Sequence, residues 1–237
     1  MKLSITDLSK TFGGKTVLDK ASYTFEKGKI YGLLGRNGAG KTTMFNCLVG
    51  NLTYETGKVI TEMDGEEPRP ASDGDIGFVY AEPHLPEFMT GQEYIKFFIS
   101  INKEKMHGEV NLDESFKLID FDDDDRHKLI KEYSFGMKNK LQLLAFLILR
   151  PPVILLDEPL ASFDVVAAMQ IKELIKSTKQ DHIIILSTHI LQIAQDLCDE
   201  IVILHNGNLS KLDSAKMHDK DFDKSVLEAL KEEQPNA

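Results

Sequence analysis

The first 34 residues alternate apolar and polar positions in the way that is typical of β-strands. Leu3 and Ile5 alternate with polar neighbours, and a second set of strand-like positions runs from Val17 to Phe25. A short apolar run, Lys29–Leu34, then ends in a glycine-rich loop, after which we predict a helix from Lys41 to about Val49. Two more apolar segments predict strands: Gly57–Ile60 and Ile76–Val79.

Helical spacing replaces this pattern between about Thr90 and Arg150. The apolar residues that recur every three or four positions are Tyr94, Phe97, Phe98 and Ile101, followed by Phe116, Leu118 and Ile119. We interpret residues from about 84 to 150 as a helical region inserted in the fold. The acidic run Asp122–Asp125 within it is predicted to be a solvated loop.

An α/β pattern returns after residue 150. Val153–Leu156 and Ile183–Leu186 are continuous apolar runs, as expected of parallel strands that are buried on both faces. Ile201–Leu204 leads to the dipeptide Asn206-Gly207, which is a hairpin signal. Between the first two runs a helix is predicted, and its apolar face consists of Val166, Met169, Ile171, Leu174 and Ile175. The whole chain therefore predicts an α/β fold.

Composition is that of an ordinary globular protein, with 42% hydrophobic and 28% charged residues and a net charge of −10. The acidic balance disfavours binding to nucleic acid or anionic lipid. The most apolar stretch, Leu141–Leu149, is far shorter than the roughly 18–20 residues that a bilayer requires. The N-terminal residues lack the apolar core of a signal peptide. Cys47 and Cys198 form no CxxC pattern, which fits a reducing compartment, and we expect a cytoplasmic location.

The loop after Lys29–Leu34 matches the pattern GxxxxGK[ST], and its residues are Gly35, Arg36, Asn37, Gly38, Ala39, Gly40, Lys41 and Thr42. Glycines let backbone N–H groups close around phosphate oxygens, and the start of the following helix adds partial positive charge. Lys41 is placed to reach the β- and γ-phosphates, the Thr42 hydroxyl to bind Mg²⁺, and Thr43 to add a phosphate contact. A chance match is expected on the order of once in a hundred such chains, so the loop predicts nucleotide binding.

The apolar run Val153–Leu156 delivers two carboxylates, Asp157 and Glu158, at the end of a strand, where open parallel sheets bind ligands. Asp157 is expected to hold Mg²⁺ through water. Glu158 is expected to polarise the attacking water as general base. Strands often end in charged turn residues, so this pair gains its meaning from the phosphate-binding loop.

Two further features are ambiguous when taken alone. Ser134 and Gly136 stand before a helix predicted from Lys138 to Leu149, where they form either a second anion site or a plain helix cap. The cap is the simpler interpretation of the local sequence. His189 follows the run Ile183–Leu186 and is suited to hold a γ-phosphate, although a single histidine is often incidental.

In this order and spacing, the motifs resemble those of the ABC transporter nucleotide-binding domain, over roughly residues 2–212. The resemblance implies a P-loop NTPase fold of the ABC ATPase type, with a β-subdomain, a RecA-like core and an inserted helical subdomain. A short helical, acidic tail is expected over 213–237. The residues that match are Gly35–Thr42 (Walker A), Asp157 with Glu158 (Walker B), Ser134–Gly136 (signature), Ser162–Asp164 (D-loop), His189 (switch histidine) and Phe12, which would stack on adenine.

The resemblance also implies ATP and Mg²⁺ as cofactors, ATP hydrolysis coupled to transport, and a dimer of two such subunits, identical or different. In that head-to-tail dimer each signature motif contacts the γ-phosphate held by the other subunit, which gives Ser134 and Gly136 a role in nucleotide binding. The second implied partner is a multi-span membrane permease that docks near Glu82–Lys105. It would hold the chain on the inner face of the membrane.

The chain departs from the family pattern in two places. The signature reads YSFGM where the family has LSGGQ, a variant that resembles those of drug, bacteriocin or lipid exporters, and export is therefore expected. At the Q-loop, the position of the family's glutamine is Ala81, whose side chain cannot bind a metal. Either Glu82 takes that place beside Asp157, or the contact is absent.

Three other functions remain open from the motifs. A soluble ABC protein acting on nucleic acid or the ribosome usually has two ATPase domains or basic arms, and this acidic chain has neither. A P-loop kinase or GTPase would lack Ser134, His189 and the helical insertion. A regulatory module with weakened hydrolysis is disfavoured because Glu158 and His189 are present.

Overall fold

The computed structural model describes residues 1–106, 108–161 and 163–212, together with Phe222 and Val226. Apart from those two residues, the tail expected over 213–237 lies outside the described residues, as does Ser162 of the proposed D-loop. The strands are β1 (Lys2–Phe12), β2 (Lys15–Glu26), β3 (Ile30–Leu34), β4 (Thr56–Glu62), β5 (Arg69–Pro70), β6 (Ile76–Val79), β7 (Val153–Asp157), β8 (Ile183–Thr188), β9 (Glu200–His205) and β10 (Asn208–Lys211).

The α-helices are α1 (Lys41–Leu48), α2 (Gly91–Ile101), α3 (Leu112–Leu118), α4 (Asp123–Arg126), α5 (Phe135–Leu149), α6 (Val165–Thr178) and α7 (Leu191–Leu197). Short 3₁₀ turns lie at Lys103–Lys105, Ile130–Glu132 and Lys179–Asp181. No helix among the described residues is long and apolar enough to span a bilayer.

The strands form two sheets. An antiparallel sheet has the order β2-β1-β4-β5, and a six-stranded sheet has the order β10-β9-β3-β8-β7-β6. Within the larger sheet β9, β3, β8, β7 and β6 are parallel, and β10 pairs with β9 in antiparallel fashion. The hairpin turn predicted at Asn206-Gly207 is confirmed, and both residues have positive φ angles of 47° and 77°.

Apolar side chains of the larger sheet pack in two separate cores, one on each face, because successive residues of a strand point to opposite faces. Val153 and Leu155 join the core between the two sheets, which also receives α1 through Phe45. Ile154 and Leu156 join the core under α6 and α7, where Phe222 and Val226 are also buried. The prediction that Val153–Leu156 and Ile183–Leu186 are buried on both faces is therefore confirmed.

A third core unites the helical region, with Ile95, Phe116, Ile130 and Leu144 among its buried residues. The acidic run was wrongly predicted as a loop, since Asp123–Arg126 forms one turn of helix. Its carboxylates favour the helix N-terminus, and its side chains stay largely solvated.

Two helix predictions also need correction. Helix α5 begins at Phe135 rather than Lys138, because the Ser134 side chain caps it by accepting from Met137 N at 3.2 Å. In α6 the buried face consists of Ala167, Ile171 and Ile175. Val166 and Met169 were also predicted on that face. They are 67% and 63% exposed, because they lie on the helix surface beside the buried face and not within it.

Candidate functional site

Four parallel strands end side by side at one edge of the larger sheet. β8 lies between β3 and β7, and β6 follows β7. The loop Gly35–Gly40 follows β3, and His189 follows β8. Asp157 is the last residue of β7, and Glu158 comes directly after it. Ala81 lies two residues after β6. Because the carboxyl ends of parallel strands meet at the same edge, the topology collects most of the predicted residues there.

The glycine-rich loop has backbone angles that glycine adopts far more readily than other residues. Gly38 and Gly40 have φ angles of 80° and 105°, in a region of backbone conformation that residues with a side chain rarely adopt. A Cβ on Gly40 would lie 2.6 Å from Val17 Cγ1, so glycine is needed there for space as well. Gly40 caps α1 without any side-chain hydrogen bond, which leaves the first N–H groups of the helix available to an anion.

The Lys41 ammonium is held inside this loop. Its side chain is buried, and Nζ donates to the carbonyl oxygens of Gly35 at 2.8 Å and Arg36 at 3.5 Å. A buried cation surrounded by backbone groups concentrates positive charge where phosphate oxygens would lie. The geometry agrees with the phosphate role predicted for Lys41.

Thr42 and Asp157 meet at the candidate metal position. The Thr42 hydroxyl donates to Asp157 Oδ2 at 2.7 Å, and Ser187 Oγ donates to Asp157 Oδ1. A hydroxyl and a carboxylate are the hard oxygen ligands that Mg²⁺ prefers. No group of three or more His, Cys, Asp or Glu side chains among the described residues could hold a metal alone. The donor set therefore fits an ion that takes its other ligands from phosphates and water.

Glu158 and His189 form the catalytic pair of the prediction. His189 Nδ1 and Glu158 Oε1 are 2.9 Å apart, and Nδ1 is the donor because a carboxylate only accepts. Glu158 has a φ of 47°, a left-handed conformation that is uncommon for a side-chain-bearing residue. Its N–H is fixed on Ser187, by the carbonyl oxygen at 3.2 Å and by Oγ at 3.0 Å.

Ser187 is a site residue that sequence reasoning missed. Its hydroxyl donates to Asp157 and accepts from the Glu158 N–H, so one side chain positions both carboxylates. Parallel pairing places Asp157 directly opposite Ser187 in the sheet. A small polar residue at the end of an otherwise apolar buried strand was the available signal.

Two adjacent cavities open around the loop. One of ≈330 Å³ is lined by Asn37–Thr43, Val17, Ala81, Asp157 and Glu158. The other, of ≈440 Å³, shares Val17 and Asn37–Ala39 with the first, and its lining also includes Lys15, Arg36 and the hairpin His205–Gly207. The first cavity suits phosphates and a metal, and we call it the phosphate cavity. The second suits a nucleoside, and we call it the nucleoside-side cavity.

Phe12 lines neither cavity. The ring is partly exposed, and Lys10 Nζ lies 4.9 Å from its centroid. Its cross-strand partner Lys15, however, belongs to the nucleoside-side cavity. Stacking of Phe12 on adenine stays a prediction.

The signature residues lie elsewhere. Ser134 and Gly136 line a third cavity of ≈470 Å³ at the start of α5, apart from the phosphate loop of the same chain. Tyr133 fixes this segment, because its hydroxyl accepts from Gly91 N at 3.1 Å and donates to Asp125 O at 2.7 Å. Burial raises the pKa of Tyr133 to about 12, so it stays a neutral donor at any physiological pH.

Glu82 is not brought to the metal position. Its side chain is exposed and is not part of the cavity that contains Thr42 and Asp157, whereas Ala81 lines that cavity. Position 81, the place of the family's glutamine, therefore faces this cavity and position 82 does not. The structure therefore gives the metal role expected of Glu82 no support.

Comparisons with known proteins agree with this fold. The family model described as ABC transporter matches residues 18–161. The uncharacterized ABC transporter ATP-binding protein YhcH of Bacillus subtilis is 30% identical over 99% of this chain and 76% of its own length. The lantibiotic transport ATP-binding protein SrtF of Streptococcus pyogenes is 30% identical over 87% of this chain and 88% of its own.

A solved structure gives the same fold. The ATP-binding cassette MJ0796, described as a dimer in a post-hydrolysis state bound to ADP and Pi, superposes with a TM-score of 0.73. It is 21% identical and covers 89% of this chain and 99% of its own. The sheets, helical region and phosphate loop define an ABC-class ATPase. The chain belongs to the ABC transporter family, as an ATP-binding subunit.

Proposed function

We propose that this chain binds Mg²⁺-ATP at Gly35–Thr43, hydrolyses it with Glu158 as general base, and thereby drives transport through a separate membrane subunit. The observation that carries the proposal is the convergence of Lys41, Thr42, Asp157 and Glu158 on one cavity at the edge of the parallel sheet. We also propose the division into a nucleotide-binding domain over 2–212, with a helical subdomain at about 84–150, and a tail over 213–237.

Each residue has a distinct part in hydrolysis. The loop N–H groups and Lys41 bind the phosphate oxygens, while Thr42 and Asp157 would hold Mg²⁺, whose charge would offset the negative charge that develops on the phosphates. Glu158 accepts a proton from the attacking water as the water oxygen bonds to the γ-phosphorus and the bond to the β-phosphate oxygen breaks. His189 orients Glu158 through the 2.9 Å hydrogen bond.

A dimer would complete the site. Ser134 and Gly136 lie in a cavity of their own and not beside Lys41. A second copy, or a related subunit, turned head to tail would bring its signature motif to the γ-phosphate. The dimeric structure of the similar cassette MJ0796 supports the proposal of a dimer. ATP would then act as part of the interface, and association would depend on it.

The membrane partner is proposed to dock on the segment Glu82–Lys105. Three large apolar side chains are exposed there: Phe88 at 77%, Phe97 at 46% and Ile101 at 61%. Phe97 and Ile101 lie one turn apart on α2, so they share a face. Exposed apolar clusters of this kind mark interaction surfaces. Such docking would hold the chain at the inner face of the membrane.

The direction of transport is suggested by similarity only. The relative SrtF is named for lantibiotic transport, and the YSFGM signature resembles those of exporter subunits. We therefore propose export as the direction of transport.

The test is ATP binding and hydrolysis by the purified chain. Lys41→Ala should weaken ATP binding about 10- to 100-fold in calorimetry, because hydrogen bonds to charged groups contribute the most. Lys58→Ala is the control, since this exposed lysine of β4 lies outside both loop cavities. Equal ATP affinity in the Lys41 variant would remove the phosphate role from this loop.

A further inference from the structure

Tyr80 stands at a junction of three elements near the phosphate cavity. It lies between the last residue of β6 and Ala81, which lines that cavity. Its hydroxyl accepts from Asn51 Nδ2 at 2.8 Å, and its carbonyl oxygen accepts from Gln142 Nε2 at 2.9 Å. Asn51 follows α1, and Gln142 is a buried residue of α5, so one tyrosine bonds to both neighbourhoods.

The hydrogen bonds of Asn51 continue to the backbone of Thr42. Asn51 Nδ2 also donates to Asn46 Oδ1 at 3.1 Å, and Asn46 Nδ2 donates to the Thr42 carbonyl oxygen at 2.8 Å. Thr42 in turn donates its hydroxyl to Asp157. The side chains of Tyr80, Asn51 and Asn46 therefore form a chain of hydrogen bonds that ends on the Thr42 carbonyl oxygen, in the first turn of α1, which carries the proposed phosphate and metal ligands.

A chain of aromatic rings runs in parallel. Phe45 of α1 packs edge-on against Phe78 with centroids 5.6 Å apart, and Phe78 packs on Tyr80 at 4.2 Å. Tyr80 then contacts His84 in the next loop at 5.9 Å. The same tyrosine thus links α1 to the start of the segment Glu82–Lys105 by packing, and its hydrogen bonds join it to Asn51 and Gln142.

Gln142 explains why the backbone at Tyr80 is fixed. It is a buried amide in a helix whose other buried residues are apolar, and a buried polar group needs a partner. Its partner is the Tyr80 carbonyl oxygen. Helix α5 begins at the signature motif, so a movement of this helix would displace the Tyr80 backbone through the hydrogen bond from Gln142.

We propose that Tyr80 is a positioning residue that connects the segment after β6 to Thr42 through Asn51 and Asn46. Ala81 cannot reach a phosphate or a metal, and Tyr80 carries the mechanical link between this segment and the nucleotide site from one residue earlier. Its hydroxyl orients the Thr42 turn and does not touch the nucleotide. The inference rests on the proposed function, because Thr42 matters only if Mg²⁺-ATP binds there.

The test compares Tyr80→Phe, Asn51→Ala and the double variant with wild type. Phenylalanine keeps the ring packing and removes only the hydroxyl. Tyr54→Phe is the matched control, because this half-buried tyrosine packs on the same core and no hydrogen bond of its hydroxyl is recorded among the described residues. Hydrogen exchange without nucleotide should be about three- to tenfold faster for the amides of α1 in both test variants, as expected for one lost hydrogen bond of ordinary strength.

In ATPase assays, Tyr80→Phe should lower kcat about three- to tenfold and raise the half-saturating Mg²⁺ concentration, with KM for ATP nearly unchanged. The double variant should be no worse than either single one, because both break the same chain. Wild-type exchange and Mg²⁺ dependence in Tyr80→Phe, or effects that multiply in the double variant, would overturn the inference. A wild-type chain that hydrolyses no ATP would instead contradict the proposed function, while the exchange data would still report on the link.

Discussion

His189 Nδ1 lies 2.9 Å from Glu158 Oε1, and the two residues reach each other from the ends of adjacent parallel strands. The left-handed backbone of Glu158 makes this contact possible, since it turns the chain out of β7 directly after Asp157. Backbone strain of this kind persists where the surroundings fix it, and here Ser187 does so through two hydrogen bonds to the Glu158 N–H.

Replacing Glu158 should separate ATP binding from hydrolysis. Glu158→Gln keeps an oxygen that can accept from His189 but cannot take up the proton of water. The hydrolysis rate should fall by about 10²- to 10⁴-fold while ATP affinity is retained. Because ATP is then not consumed, the variant should elute as a dimer in gel filtration with ATP and as a monomer without it.

The matched control is Glu173→Gln, an exposed glutamate of α6 that pairs with Lys176. It should hydrolyse ATP at the wild-type rate. If Glu158→Gln also turned over at the wild-type rate, the general base would have to be another residue.

Ser187→Ala tests the shared support of the two carboxylates. The change leaves Asp157 without its buried donor and removes one of the two acceptors of the Glu158 N–H. We expect a loss of about 1–3 kcal/mol in the free energy of unfolding, measured by urea denaturation. We also expect a lower kcat and a higher half-saturating Mg²⁺ concentration. Ser177→Ala on the exposed side of α6 should change none of these three quantities. Wild-type kcat in Ser187→Ala would show that Asp157 and Glu158 are positioned without this hydroxyl.

The sequence could predict the elements of the large sheet because period and burial agree there. Val153–Leu156 is apolar at every position, as expected of a strand covered on both faces, and the run is too short for a buried helix. The Walker A loop, Asp157 and Glu158 were predictable for a related reason, since the chemistry fixes both their residue types and their position after a strand.

The remaining parts depend on tertiary contacts that no local pattern shows. Ser187 acquires its role only from the register that sets it opposite Asp157. The exposure of Met169 depends on which side of α6 the sheet covers, and the helical pattern alone could not decide it. Position 82 was uncertain for a similar reason, since one residue of offset after β6 decides whether Ala81 or Glu82 faces the phosphates.

Ala81→Gln and Glu82→Gln should therefore behave differently. Ala81 lines the phosphate cavity, so a glutamine there would bring an amide oxygen to the metal and change the ATPase rate. Glu82 is exposed, so Glu82→Gln should leave the curve of ATPase rate against Mg²⁺ concentration unchanged. A shifted curve in Glu82→Gln would restore the metal role for this carboxylate.

The docking surface can be tested with polar substitutions on α2. Phe97→Ser and Ile101→Ser remove apolar side chains that are already exposed, so folding should be little affected. Both should reduce copurification with the co-expressed multi-span membrane subunit while ATPase activity of the isolated chain persists. Leu118→Ser is the control, because Leu118 is 60% exposed but lies on α3, outside the segment Glu82–Lys105. Equal losses in all three variants would argue against a docking site on α2.

His182 should make the stability of the fold depend on mildly acidic pH. It is buried next to the start of β8, where Nδ1 lies 2.8 Å from the Pro151 carbonyl oxygen. Burial lowers the pKa of His182 below its ordinary value of 6.5, although the bond to Pro151 acts in the opposite direction. Since the folded pKa is the lower one, this contribution to stability is complete above pH 6.5 and is lost as the pH falls through the folded pKa.

The free energy of unfolding of the wild type should therefore decrease below pH 6.5, by at most about 1.4 kcal/mol per pH unit from this one group. His182→Gln can still donate to the Pro151 carbonyl oxygen but does not titrate, so the difference in stability between the two proteins should shrink as the pH falls. Urea unfolding between pH 5 and pH 8 measures it, with His127→Gln, an exposed histidine, as control. A constant difference over this range would mean that His182 gains its proton equally easily in the folded and unfolded chain, and that its burial does not disfavour the charged ring.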